Sequence, residues 1–441
     1  MHMPGSGVNG AIVPSAPTGG SRAAVAWQRL HPERWPVPAG AFPSGTALVG
    51  GAVRDALLDR LAPQPDLDVV LPGDAVAVCR QLQRRHGGSA VVLDAERSIA
   101  RLVIGGWSVD LARQEGESLR ADLNRRDYTI NAMALPLAEP QMLVDPHGGL
   151  EHLAAGELVA ISEANLLDDP LRLLRGLRLA AQLRFRIEAR SLSWIREHHG
   201  RLGEVAGERV LAELEKLAAA PEGQGWLLEV LRCGLLRPWR AQAGSPLEPA
   251  DEALLTRLSA HQTKALGLTA VETAEALPLA RLAALLDGES LRALRSSRRL
   301  QQRVERLRQW QLRLGTEDPA ACAERLSEPE RLHLQRQLEQ DLPALLLSWP
   351  DPTSAGPWLR RWRDPEDPLF HPRAAIDGGS LQRELQLQAS PQLGALLERL
   401  MLERAFGRLH DRAEALSRAR RWLSTTSSDG ANDGAKAPRR D

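Results

Sequence analysis

The segment Leu48–Val70, LVGGAVRDALLDRLAPQPDLDVV, constrains this chain more than any other. A short apolar run stops at Gly50-Gly51, helix formers follow, and a second apolar run opens with Asp66-Leu67-Asp68. Glycines at such a junction let backbone N–H groups approach an anion closely, while the helix that follows points its positive end at the same spot. Arg54, one turn in, adds a charged fork suited to a phosphate. Asp66 and Asp68 stand two apart on an expected strand, so both carboxylates leave one face. Hard oxygen ligands at that spacing suit Mg2+. A phosphate cradle beside a metal-binding carboxylate pair points to phosphoryl or nucleotidyl transfer. Either element alone is common by chance; their order and closeness carry the reading.

The chain has 441 residues, 43% hydrophobic and 25% charged, long enough for roughly two to four domains. Its formal net charge of zero excludes a global pull toward nucleic acid and leaves only local patches. Lysine occurs only at Lys216, Lys264 and Lys436, so arginine carries almost all the positive charge. Cys79, Cys233 and Cys322 lie far apart and match no metal or disulfide spacing, which points to a reducing compartment. No apolar run reaches the length of a membrane span, and the N-terminus lacks a signal pattern. The expectation is a cytoplasmic protein with no membrane partner.

In chain order, Met1–Ser44 is rich in Gly, Pro, Ser and Ala and reads as a disordered leader. Strands are expected at Ala47–Val49, Leu67–Leu71 and Ala90–Leu93, and helices at Ala52–Arg60 and Ala75–His86. Ala100–Ile104 and Trp107–Leu111 flank Gly105-Gly106 as a hairpin. Asp110, on its second arm, is either a third metal ligand or a solvated edge residue. Arg125–Ala134 reads as a short helix. In it Arg126 would hold a triphosphate, and Asp127 and Asn131, one turn apart, would meet ribose hydroxyls; a capped helix with exposed arginines fits the same text. The catalytic module closes at the turn Val144–Gly149.

From Ala164 onward the pattern is helical. Asp169, Arg172, Arg175 and Arg178 recur every three residues as one polar stripe beside a narrow seam of Leu171, Leu174 and Leu177. An Asp and an Arg side by side offer acceptor and donor to a base edge, although a solvated charged face gives the same spacing. Val205–Ala219 is a strong helix in which Glu208-Arg209 and Glu213-Lys216 can brace neighbours. Arg292–Arg313 reads as the most basic helix, suited to a nucleic-acid backbone or to solvent. Leu393–Leu423 reads as the last helix.

The stretches GGAVRD (Gly50–Asp55), DLD (Asp66–Asp68), RRDYTINAMA (Arg125–Ala134), DDPLRLLRGLRLAAQLRF (Asp168–Phe185) and GERVLAELEK (Gly207–Lys216) follow one another in an order that resembles the bacterial class II tRNA nucleotidyltransferases. These are the CCA-adding enzymes, with bacterial poly(A) polymerases as close relatives in the polymerase β superfamily. The resemblance implies an α+β fold: a small mixed α/β nucleotidyltransferase head (residues 45–150), then an all-helical neck with base recognition (151–230) and a helical body and tail that bind tRNA (231–424). Residues 1–44 and 425–441 would be a disordered leader and tail.

It further implies that Gly50, Gly51 and Arg54 bind the triphosphate, and that Asp66 and Asp68 hold two Mg2+ ions; from its place on the hairpin, Asp110 is the third candidate catalytic residue. Arg126 would contact the nucleotide, with Asp127 and Asn131 near the ribose. Asp169 and Arg172 would read the base of CTP or ATP, while Arg175 and Arg178 support the pocket. The implied reaction is template-independent addition of C and/or A to the tRNA 3′ end, with pyrophosphate released.

Two departures are mild: Tyr128 replaces a more usual Phe, and Asp168 stands where Glu is frequent. A larger one is that only LARQEGESLRADLN separates Asp110 from Arg125. Full CCA-adding members carry a longer loop there, and a short one is associated with CC addition alone, leaving the final A to a separate A-adding partner enzyme. The alternatives are a poly(A) polymerase, or a non-catalytic RNA-binding protein that retains the fold, which missing carboxylates would favour. A transferase acting on a small molecule has no use for the long Arg-rich helical remainder.

Overall fold

The computed structural model describes residues 22–240 and 249–429. The leader before residue 22 and the tail after residue 429 lie outside the described residues. The chain divides into two compact units, Met1–Gly244 and Ser245–Asp441. The division falls beyond the expected neck boundary at residue 230, which cuts through a helix, Gly223–Arg232.

In the first unit, strands β1 (Ala47–Val49), β2 (Leu67–Leu71), β3 (Ser89–Asp94), β4 (Ile99–Ile104), β5 (Trp107–Arg113) and β6 (Ala134–Pro136) form one sheet in the order β3–β4–β5–β2–β1–β6. β2 and β5 run parallel, and the other neighbours are antiparallel. Leu67, Val69 and Leu71 are buried on one face of β2. On the opposite face Val70 packs with Ala47, Val49, Leu123, Ala132 and Ala134, leaving Asp68 as the polar position of β2 on that side. The alternation of side chains along a strand thus separates a dry face from a working face.

Helix α1 (Arg22–Arg29) corrects the expectation of a disordered leader through Ser44. Ala26, Leu30, Trp35 and Val37 are buried, and Trp27 meets Trp35 edge-on at 5.4 Å. Arg29 donates to the Ala56 carbonyl at 2.9 Å and to the Leu57 carbonyl at 3.3 Å, at the C-terminal end of helix α2 (Gly51–Leu58). Small residues dominate the leader's composition and conceal this short amphipathic piece. Helix α3 (Ala75–His86) is capped by Asp74, which accepts from the Val76 and Ala77 amides.

Helices α4 (Leu119–Leu123), α5 (Gly149–Ala155), α6 (Glu163–Asp168), α7 (Leu171–Leu183), α8 (Ala189–Glu197), α9 (Gly207–Ala219) and α10 (Gly223–Arg232) complete the unit, with a two-stranded parallel pair, Glu157–Leu158 and Arg186–Ile187. The expected narrow seam on α7 is corrected too. Leu171, Leu173, Leu174, Gly176, Leu177 and Leu179–Ala181 are all buried, because α9 and α10 pack against this helix. A helix apolar on most sides is a central one.

The short helix expected over Arg125–Ala134 is instead a single 3-10 turn, Thr129–Asn131. Backbone pairing explains the difference: the Thr129 amide donates to the Val159 carbonyl, and the Ile161 amide to the Asp127 carbonyl.

In the second unit the described residues are helical. Helix Ala270–Leu285 is buried from Ala276 onward except at Pro278, and helix Leu342–Leu347 throughout. Trp349, Trp358 and Phe370 stack edge-on at 5.5 Å steps. A smaller core gathers Ile376, Leu381, Leu396, Leu400 and Leu409. The single basic helix expected at Arg292–Arg313 is two, Gly288–Ala293 and Arg298–Leu314, broken where Arg295 adopts φ 55 and Ser297 caps the second. Within it Arg303 grips Asp341 through Nε and Nη2, and Arg308 donates to the Ala283 carbonyl, so these two arginines serve packing. The last expected helix likewise splits, into Pro391–Ala405 and Arg412–Asp429, at Gly407 with φ 71.

Candidate active site

The site begins at the turn between β1 and α2. Gly50 has φ 73, a region that disfavours any other residue. A Cβ built there would lie 3.5 Å from Asp68 Oδ2 and 3.5 Å from Arg126 Nη1. The carboxylate and the guanidinium thus both face the glycine turn, and antiparallel register sets Val49 opposite Asp68. Gly51 opens α2, with the Arg54 guanidinium 3.7 Å from where its Cβ would be.

Parallel register pairs Asp68 with Asp110 on the neighbouring strand, so the two side chains share a face. Asp66 departs from expectation: it precedes β2 by one residue and is exposed, making no hydrogen bond or ion pair among the described residues. Asp110 is clamped by Arg101, whose Nε and Nη2 donate to its two oxygens at 2.6 and 2.7 Å.

Burial first, and then the charge of Asp110, push the Asp68 carboxyl up to about 6, against the pull of Arg126 and Arg175. Hard carboxylate oxygens facing one spot are what a divalent cation requires. Asp68 and Asp110, with Asp66 beside them, fit one. Among the described residues, three metal-type ligand atoms lie within 4.8 Å of one another only at Glu163, Glu197 and His198, none of which lines the cavity at the glycine turn.

Asp127 and Asn131 are brought together, but by bonding each other. Asn131 Nδ2 donates to Asp127 Oδ1 at 3.3 Å, the Tyr128 amide donates to the same oxygen at 2.7 Å, and Arg175 pairs with Oδ2 at 3.1 Å. Burial alone would raise Asp127; Arg175 and these donors outweigh it and hold the carboxyl below the usual range. Arg54 Nη1 donates to Asn131 Oδ1 at 2.7 Å, and its other nitrogens grip Asp55. The network is complete, with every group oriented by the next.

Asp169 precedes α7 rather than joining its stripe: it follows the end of α6 at Asp168, and Pro170 caps the start of α7 at Leu171. Its Oδ2 accepts from Arg209 Nη2 at 2.8 Å. Arg172 Nη1 donates to the Asn165 carbonyl at 2.7 Å, and its own carbonyl accepts from Tyr128. Arg178 is buried and bonds Glu213 at 2.5 Å and Gln182 at 2.6 Å, pinning α7 to α9.

Every site residue expected from the sequence except Asp66 and Asp110 lines one cavity of about 670 Å³. Asp122 was not singled out from the sequence, although it is buried and takes Arg126 Nη2 at 3.0 Å. Its i,i+4 spacing to Arg126 is the signal that would have found it. Asn165, which donates to the Asn124 and Arg126 carbonyls, has no such mark in the sequence.

Residues 46–159 match the poly A polymerase head domain family, and residues 184–239 the probable RNA and SrmB-binding site of polymerase A. A CC-adding tRNA nucleotidyltransferase of Synechocystis sp. is 33% identical over 393 residues, 86% of this chain and 94% of its own length. One of Geobacter sulfurreducens is 38% identical over 273 residues, 58% of this chain and 62% of its own.

Among solved structures, the Thermotoga maritima CCA-adding enzyme complexed with tRNA shares the fold at TM-score 0.63 and 22% identity, over 86% of this chain and 91% of that one. The Bacillus stearothermophilus CCA-adding enzyme in complex with CTP does so at 0.65 and 19%, over 93% and 98%. A nucleotidyltransferase head of this kind implies dependence on a divalent cation. With a third of its residues shared along nearly the whole of a relative, and that head at its N-terminal end, the chain belongs to the bacterial class II tRNA nucleotidyltransferases, the CCA-adding enzyme family.

Proposed function

We propose that this enzyme adds two C residues from CTP to a tRNA lacking its 3′ end, and leaves the terminal A to a separate A-adding enzyme. The observation that carries the reading is the connection from β5 to α4. It is short, and it is fastened along its length: the Gln114 amide donates to the Leu71 carbonyl, the Glu115 amide to Asp122 Oδ1, and the Glu115 carboxylate pairs with Arg125 at 2.5 Å. It has neither the length nor the freedom of a loop that could remodel a base pocket from C to A. The relative matched along most of its length carries the same CC-adding activity in its name.

In this reading the RNA 3′ oxygen bonds to the α-phosphorus of CTP, the bond to the β-phosphate breaks, pyrophosphate leaves, and the hydroxyl proton is released. Mg2+ held by Asp66 and Asp68, with Asp110 alongside, would acidify the 3′-hydroxyl and neutralise the triphosphate. The chain's own residues supply placement, the main source of rate in such transfers. Gly50, Gly51, Arg54 and Arg126 orient the triphosphate. Asp127 and Asn131 are preset beside the ribose. Asp169 and Arg172 present acceptor and donor to the base, with Arg175 and Arg178 behind them. Residues 45–150 serve as catalytic head, 151–230 as neck and 231–424 as the tRNA-holding body and tail, in the cytoplasm.

The test is incubation of purified protein with tRNA lacking its 3′ end and each labelled nucleotide. Two C residues and no A are expected. Addition of A after CC would overturn the restricted specificity, and a run of A would identify a polyadenylating enzyme. No incorporation from any nucleotide would end the transferase reading.

A further inference from the structure

We infer that the terminal nucleotide of the RNA acceptor docks on the open half of the working sheet face, over β4 and β3. There Arg101 meets its phosphodiester, and Val91 and Val103 meet its sugar or base. The inference rests on the transferase reading above and adds the seat of the second substrate.

The argument starts from register. Asp68 pairs with Asp110, Asp110 with Arg101, and Arg101 with Val91, so one row of side chains crosses β2, β5, β4 and β3 on a single face. At about 4.8 Å per strand the row leads steadily away from β1. At its other end, Val49 opposite Asp68 leads into the glycine turn. The triphosphate cradle therefore lies on the β1 side of the carboxylates. In-line displacement puts the attacking and leaving oxygens on opposite sides of the phosphorus. An acceptor that attacks opposite that cradle arrives from the β5–β4 side.

The surface found there has the right chemistry. Asp68, Val70, Ile99 and Ala112 line the cavity, whereas Asp110, Arg101, Val103 and Val91 do not. Val91 and Val103 are 47% and 43% exposed, on the same face as the carboxylates. Single exposed valines need no explanation, but two beside a catalytic row form a platform for an apolar ring. Incoming phosphodiester charge would be repelled by three aspartates. Arg101 supplies the opposite charge at their outer edge, and its Nη1 has no partner among the described residues while Nε and Nη2 hold Asp110. A nucleotide with its phosphate on Arg101 and its ring on the valines brings its 3′-hydroxyl toward Asp110.

The test uses the full chain and the double substitution Val91→Ser, Val103→Ser, which alters exposed positions only. Steady-state kinetics with tRNA lacking CC, and fluorescence anisotropy of the same tRNA in EDTA, are measured in parallel. KM and Kd for the RNA are expected to rise roughly tenfold, with KM for CTP and the rate at saturating RNA unchanged. Arg101→Gln should weaken RNA binding in EDTA as well. An unchanged RNA KM and Kd in an active double variant overturns this seat alone, and so does an equal rise in KM for CTP. A wild-type protein that incorporates no nucleotide overturns instead the reading on which it rests.

Discussion

The phenol of Tyr128 occupies the space that a side chain at Gly176 would need: a Cβ built on Gly176 would collide with the hydroxyl and lie 2.8 Å from Cζ. The hydroxyl donates to the Arg172 carbonyl at 2.9 Å, and burial pushes the phenol above its ordinary pKa, so it stays a donor. The segment carrying Arg126, Asp127 and Asn131 is thereby locked onto the helix carrying Arg172 and Arg175. Gly176→Ala is expected to destabilise the protein by about 1–3 kcal/mol through overpacking. Tyr128→Phe is expected to cost about 0.5–1.5 kcal/mol through one lost hydrogen bond. Urea unfolding of the full chain checks both, and an unshifted midpoint for Gly176→Ala would show that the contact is not tight.

Asp68 sets activity against stability. Its carboxyl is held at about 6, above the ordinary 3.8, by burial and by Asp110. A raised carboxyl favours folding below the ordinary value, and that advantage is lost as pH climbs through the folded one. At neutral pH the charged form therefore costs the fold about 1–3 kcal/mol. Asp68→Asn is expected to abolish incorporation and yet unfold later by that amount at pH 7.5 in EDTA. At pH 4 the gain should have nearly vanished. A variant less stable than the wild type at pH 7.5 would contradict the assignment of cost to this charge.

Asp122 acts through Arg126. It takes Arg126 Nε and Nη2 on one oxygen and the Glu115 amide on the other. Asp122→Asn keeps an acceptor for the amide while removing the charge that aims Arg126. KM for CTP is expected to rise roughly tenfold, with KM for RNA unaffected. Equal changes in both constants would point to a general loss of structure.

On the proposed base-reading role, Arg172 and the Asp169–Arg209 pair would govern choice rather than grip. Arg172→Ala is expected to blur discrimination among the four nucleotides more than it weakens triphosphate binding, because hydrogen bonds to the base edge carry discrimination. Arg209→Ala frees Asp169 from a half-exposed ion pair worth ~0–1 kcal/mol. Stability should barely change while misincorporation rises. Competition assays with paired labelled nucleotides read this directly, and a uniform loss for all four would remove Arg172 from base reading.

Local pattern made much of this site readable. The glycine turn, the strand that carries Asp68 and the hairpin that carries Asp110 follow from neighbours a few residues apart, and all three are present, with Asp66 one residue outside its strand. What stayed hidden depends on distant contacts. Nothing local to Arg125–Ala134 announces that its backbone will pair with residues near Ala160, which is why a helix was expected where a 3-10 turn stands. The apolar seam on α7 is wider than Leu171, Leu174 and Leu177 alone, because α9 and α10 close over the helix, which the sequence does not show. Arg101 looked like any strand arginine until register set it across from Asp110.

Asp68 and Asp110 meet only because β2 and β5 lie side by side in parallel, a pairing that requires the intervening α3, β3 and β4 as its crossover. No shorter fragment of the head can assemble the two. During synthesis the polypeptide therefore stays chemically inert until the strand bearing Asp110 has emerged and a long loop has closed. The site thus waits on a contact between distant strands, which local helix formation cannot supply.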